Sequence, residues 1–130
     1  EIKEGKLKDL VKNNMLICDG SHNPGGSEVL NKYLNDLNCD VHAIIGMMSN
    51  KDHEKFISFF KNIKSITTID IPNTPNAIDG KKLKEKFNII LDVQYKESIE
   101  KAIKSISLNK NDIIIITGSL YLASEVLKLN

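Results

Sequence analysis

The sequence predicts an α/β fold: a three-layer α/β/α domain on a mostly parallel sheet of five or six strands. Short apolar runs alternate with amphipathic stretches in five successive strand-then-helix units. That order produces a parallel sheet covered by helices. The last run holds four consecutive isoleucines, Ile113 to Ile116. A strand apolar on both sides belongs in a sheet buried on both faces. The chain has 130 residues, enough for one buried core, so residues 1–130 are expected to form a single domain.

Each element has a local reason. Met15 to Cys18 is a short apolar run and reads as a strand. Asn23 can cap the following helix, and Pro24 suits its first position. Val29, Leu30, Tyr33, Leu34 and Leu37 fall at helical spacing. Val41 to Ile45 is the second strand, ended by Gly46. Ser49, three residues before Asp52, resembles a helix start. Phe56, Ile57, Phe60 and Ile63 give that helix an apolar stripe.

Ile66 to Ile71 is the third strand, and Pro72 to Asn76 reads as a loop. A short helix over about Asp79 to Lys86 and a fourth strand over Asn88 to Leu91 follow. Ile99, Ala102, Ile103 and Ile106 form an i, i+3, i+4, i+7 set. Asp112 to Thr117 is the fifth strand, Gly118-Ser119 ends it, and Leu120 to Leu129 is the last helix. Lys6 to Val11 is expected to add a further strand at the sheet edge.

Composition excludes several classes. The chain carries 18 basic and 17 acidic residues, a net charge of +1. That balance offers no electrostatic case for nucleic acid or an anionic membrane. Every basic residue is lysine, so no planar fork is available for phosphate or carboxylate. Cys18 and Cys39 show no metal or redox spacing and fit reduced thiols in a cytoplasmic protein. Apolar runs reach only about five residues, against the ~20 of a membrane span. No metal site is expected, because His42 and His53 lack ligand spacing.

In an open α/β sheet, ligands bind beyond the C-terminal strand ends. Three loops there stand out. Asp19 to Gly26 places a carboxylate at a strand tip, His22 three residues later, and then a helix start whose free N–H groups favour an anion. The plain alternative is a capped turn with solvated polar residues. Gly46 to Asp52 is a glycine turn without the GxxxxGK[ST] pattern; Lys51 could reach a phosphate but reads more simply as solvated, Asp52 reads as a helix-start acid, and His53 after it as an exposed helix residue. Thr117 to Tyr121 offers a glycine for close backbone approach, with Ser119 as a helix cap and Tyr121 in the first turn. Cys18 reads as a small core residue.

The first and third loops carry a resemblance. Leu16 to Gly26, L-I-C-D-G-S-H-N-P-G-G, resembles the D-G-A-H-N-P segment of folylpolyglutamate synthase and dihydrofolate synthase. Gly118 to Leu127, G-S-L-Y-L-A-S-E-V-L, resembles their closing G-S-L-Y-L-A-G-E-V motif. Both motifs belong to the C-terminal, Rossmann-like domain of these Mur-ligase-type enzymes. The second narrows the resemblance to the folate branch.

The resemblance implies an ATP-dependent amide ligase. Such enzymes add L-glutamate to dihydropteroate or to a folate through an acyl phosphate. It implies that Asp19 contacts ATP, that His22 lies near the reacting groups, and that Ser119 and Tyr121 serve glutamate. Gly5-Lys6-Leu7 resembles the family's G-R-F/L segment, which places Lys6 on the nucleotide. Two departures stand: lysine replaces that arginine, and Asn50-Lys51-Asp52 replaces a common D-K-D.

The family's N-terminal ATPase domain, with its P-loop and Mg2+ ligands, has no counterpart in this sequence. The chain begins with Glu1 and is expected to be the C-terminal domain of a longer, monomeric enzyme, inactive alone. A stand-alone nucleotide- or amino-acid-binding module is the other reading. A Mur ligase acting on cell-wall precursors fits the closing motif less well.

Overall fold

The computed structural model describes residues 1–88 and 92–130. Its elements run α1 (Lys6–Val11), β1 (Met15–Cys18), α2 (Pro24–Asp36), β2 (Val41–Ile45), α3 (His53–Ser58), β3 (Ser65–Thr68), α4 (Gly80–Phe87), β4 (Gln94–Tyr95), α5 (Ile99–Ser105), β5 (Ile113–Thr117) and α6 (Leu120–Leu129). The strands form one sheet in the order β1-β5-β2-β3-β4. Every pair of neighbours is parallel. No described helix is long and apolar enough to cross a membrane.

The isoleucine run explains the middle of the sheet. Strand β5 lies between β1 and β2, and all five of its residues are buried. Ile113 and Ile115 join Leu30, Leu34, Phe56 and Phe87 in one core. Ile114 and Ile116 join Leu7, Ile99, Leu122 and Val126 in the other. Alternate side chains thus feed two separate cores, which is the two-sided burial a parallel sheet requires. Helices α2, α3 and α4 supply the first core; α1, α5 and α6 supply the second.

Several elements differ from the sequence expectation. Lys6 to Val11 is a helix rather than an edge strand. Leu7 and Val11, one helical turn apart, are both buried, while Asp9, which a strand would place on the same face, is exposed; only helical periodicity separates it from the other two. The edge contact on β1 comes instead from Ile2, which bridges Leu16 in antiparallel sense. The fourth strand that pairs with β3 is Gln94–Tyr95. Of the expected strand Asn88 to Leu91, Asn88 caps α4, and residues 89–91 lie outside the described residues.

On α2 the buried face is Ser27, Leu30, Asn31 and Leu34. Two polar residues lie inside because their hydrogen bonds are made there: Ser27 Oγ donates to the Phe56 carbonyl (2.6 Å), and Asn31 Nδ2 donates to the Ser27 carbonyl (2.8 Å). That rotation leaves Val29 and Tyr33 exposed. The cap of α3 is Asp52, which accepts from Lys55 N; Ser49 lies before it, and its N–H donates to the Asn76 carbonyl. Cys18 is half-buried at the strand end, packed against the second core.

Candidate functional site

Strands β1 and β5 are paired through Cys18 and Ile116, so their following loops emerge side by side. The Asp19 N–H donates to the Ile116 carbonyl (2.9 Å), prolonging the ladder by one residue. The chain then turns on itself. Asp19 Oδ1 accepts from Ser21 N (2.8 Å), and His22 Nδ1 lies 3.1 Å from the Gly20 carbonyl. Asn23 Oδ1 accepts from Gly26 N (2.8 Å), with Pro24 in the first turn of α2. The loop is therefore a built turn ending in a capped helix, as its residues require.

The second of these loops is tied to the first. Gly118 N–H donates to the Ser21 carbonyl at 3.1 Å. Gly118 has φ +117°, and a Cβ there would collide with the Gly46 carbonyl. Glycine is needed because the loops after β5 and β2 touch backbone to backbone. Ser119 is 1% exposed, and its Oγ accepts from Tyr121 N (3.0 Å) and Leu122 N (3.4 Å), capping α6. Tyr121 is 61% exposed and stands free beside the loops.

An open cleft of about 500 Å³ adjoins this corner, lined by Asp19, Ser21, Gly25, Gly26, Val29 and Tyr33, with Leu30 at its floor. Asp19 at the mouth and the N-terminus of α2 give it a polar end. Exposed Val29 and Tyr33 give it an apolar wall. Both were visible as helical apolar residues, but their direction depended on which face of α2 meets the sheet.

The Gly46 loop completes the rim. Gly46 N–H donates to the Thr117 carbonyl (3.3 Å). His53 is 1% exposed, not the surface residue expected; Nε2 lies 2.8 Å from the Met48 carbonyl. Burial follows because the ring closes the turn from Met48 to Asp52 rather than projecting from α3. Lys51 is half-exposed on that turn.

Asp19, His22, Ser119 and Tyr121 thus gather at one end of the sheet. Lys6 lies apart. Its N–H donates to the carbonyl of Asn130 (3.4 Å), at the far end of the helix that Ser119 caps. Ten helical residues rise about 15 Å, which separates Lys6 from Ser119 by roughly the length of α6.

One residue of the closing segment has a role that sequence reasoning missed. Glu125 is buried on α6, accepts from Asn73 Nδ2 (3.1 Å) and faces Lys128 Nζ at 3.0 Å. These partners, Lys128 first, hold its carboxyl below the usual range. The contact straps α6 to the loop after β3 across 52 positions of sequence. Near the site, burial pushes the Cys18 thiol above its ordinary value, and the Asp19 carboxylate adds to this. Among the described residues no three His, Cys, Asp or Glu side chains gather as a metal site.

Comparison with known proteins extends this geometry. Residues 7–120 match the family model described as Mur ligase, glutamate ligase domain. The folylpolyglutamate synthase of Lacticaseibacillus casei is 28% identical over 125 residues. That match covers 93% of this chain but 28% of the relative's length. Among solved structures, folylpolyglutamate synthase from Thermotoga maritima superposes with a TM-score of 0.77 at 25% identity, covering 90% of this chain and 28% of that one. Folylpolyglutamate synthase from Mycobacterium tuberculosis, solved with ADP, gives 0.77 at 20% identity, covering 88% and 29%. The bifunctional folylpolyglutamate synthase/dihydrofolate synthase of Yersinia pestis, solved with AMPPNP and a Mn ion, gives 0.76 at 21% identity, covering 87% and 28%. The parallel sheet is the fold of those domains, and with its two joined loops this chain belongs to the Mur ligase glutamate ligase domain family.

Proposed function

We propose that this chain is the C-terminal domain of an ATP-dependent ligase that adds L-glutamate to dihydropteroate, to folates, or to both. The observation that carries the reading is the Gly118 to Ser21 hydrogen bond. It makes one corner of the two loops that resemble the folate branch. Support for a larger parent comes from coverage: the chain spans 28% of the L. casei relative. The N-terminal P-loop ATPase domain is the partner that would face this corner in a monomeric, cytoplasmic enzyme.

The residues fit a nucleotide at the cleft. The carboxylate of half-buried Asp19 can accept from a ribose hydroxyl. Pro24 brings no N–H and the Gly26 N–H is held by Asn23, so the Gly25 N–H and the positive end of α2 are what favour phosphate charge. Bound ATP would supply the phosphoryl group that activates the acceptor carboxylate. In this reading the ligands of Mg2+ belong to the ATPase domain. His22 would stand by the reacting groups. Exposed Tyr121 would meet glutamate, with Ser119 holding the turn that presents it. Lys6 would reach the nucleotide from a separate side of the cleft between domains. What these side chains contribute is positioning and charge neutralisation once the domains close.

The test is the full-length protein encoded by the gene that carries this chain. An upstream frame with a P-loop and ATP-dependent transfer of labelled glutamate to a pteroate or folate acceptor are expected. A start codon just before Glu1, with nucleotide or amino-acid binding and no transfer, would establish the stand-alone module instead.

A further inference from the structure

A second constellation lies at the opposite end of the sheet. Asp112 precedes β5, His42 lies in β2, and Ser65 opens β3. These three strands are neighbours. Ser65 Oγ lies 2.7 Å from His42 Nδ1, and His42 Nε2 lies 3.0 Å from Asp112 Oδ2. Asp112 Oδ2 also accepts from the Asn109 N–H (3.0 Å). His42 and Asp112 are about 95% buried, whereas Ser65 is half-exposed. Ser65 opens onto a cleft of about 390 Å³ whose walls include Lys64, Thr67, Gln94, Lys96 and Ser107.

The order is nucleophile, base, orienting carboxylate, with both contacts inside hydrogen-bond reach. The proton placement is self-consistent. The hydrogen bond from His42 holds the Asp112 carboxyl below its ordinary value, so Asp112 is ionised and accepts from Nε2–H. With its proton on Nε2, the imidazole turns the Nδ1 lone pair to the Ser65 hydroxyl. Lys96 brings positive charge to the same cleft, whereas the Lys64 ammonium is paired with Asp40 at 3.6 Å.

We propose that Ser65 is an activated nucleophile that takes acyl groups from activated esters, with His42 as its base and Asp112 as the group that orients His42. Ser65 Oγ attacks the ester carbonyl carbon, and its proton passes to His42 Nδ1. The bond from carbon to the leaving oxygen breaks, and that oxygen takes the proton from His42 and departs as an alcohol. Water then attacks acyl-Ser65, giving the acid and restoring the hydroxyl. Lys96 in the cleft favours an acyl group with an anionic end.

The experiment treats the purified chain with p-nitrophenyl acetate and, separately, with a fluorophosphonate probe. The adduct is located by peptide mass spectrometry, and circular dichroism checks the fold. A single adduct on Ser65 is expected, absent in Ser65→Ala. In folded His42→Gln the labelling rate should fall about a hundredfold, the scale of a lost general base. Folded wild-type chain without an adduct on Ser65 would overturn the proposal, and needs no variant. A Ser65 adduct whose rate is unchanged in His42→Gln would overturn it equally.

Discussion

The N–H of Gly118 reaches the carbonyl of Ser21 at 3.1 Å, joining the turn after β5 to the turn after β1. Neither turn is rigid by sequence alone. Together they fix the spacing between Asp19, His22 and the capped start of α6. The conformation that allows the bond, φ +117° at Gly118, is one that only glycine adopts readily.

Gly118→Ala should therefore be costly. The added Cβ meets the Gly46 carbonyl and is strained in this backbone region. A loss of about 1–3 kcal/mol is expected from the strained dihedral alone. Urea unfolding of the variant beside the wild type measures it; equal midpoints would show that the loops relax freely.

Asp19→Ala tests the nucleotide end of the proposed site. In the full-length enzyme the KM for ATP should rise at least tenfold, about 1.4 kcal/mol of lost binding, with little change in the KM for glutamate. Steady-state kinetics with each substrate varied in turn separates the two. Unchanged ATP dependence would remove Asp19 from the nucleotide.

Glu125 and Lys128 make an asymmetric pair. Glu125 is 6% exposed, whereas the Lys128 side chain is 73% exposed. Lys128→Ala should cost little, on the scale of a surface pair. Glu125→Ala also strips Asn73 of its acceptor, and should cost about 1–3 kcal/mol. Thermal unfolding of both variants gives the ranking, and a reversed order would deny Glu125 its role as the strap.

Acid should weaken the chain through Asp112. Its carboxyl is held low chiefly by the hydrogen bond from His42. A group lowered on folding contributes stability above its unfolded value, lost as pH falls through the folded one. The stability gap between wild type and Asp112→Asn should be largest near neutrality and shrink below the ordinary carboxylate range. Denaturant titrations from neutral to acid pH read this directly. A gap constant with pH would mean that the carboxylate charge contributes nothing.

His53 offers a paired substitution. Nε2 lies against the Met48 carbonyl while the ring is 1% exposed. Gln carries a donor of similar reach, so His53→Gln should retain most of the stability. His53→Leu leaves a buried carbonyl unpaired and should cost about 1–3 kcal/mol. Equal melting temperatures for the two variants would show that the hydrogen bond is not what holds the turn.

Strands and helices of this chain were legible where periodicity and punctuation agreed. Asn23-Pro24 started α2, Ser119 capped α6, and the isoleucine run Ile113 to Ile116 announced a doubly covered strand. The Asp19 and Gly118 segments were legible for the same reason: turn chemistry is local and is written in consecutive residues. Tertiary structure decided the rest. Whether Lys6 to Val11 paired with an edge or packed as a helix depended on which core was open to Leu7 and Val11. Whether Val29 and Tyr33 faced inward depended on Phe56, whose carbonyl draws Ser27 inside. His42 and Asp112 are 70 positions apart, and Asn73 and Glu125 are 52 apart. Such contacts exist only once the strand order β1-β5-β2-β3-β4 is set. Local propensity determines where elements begin and end; long-range burial selects which of their faces is inside and which distant polar groups meet.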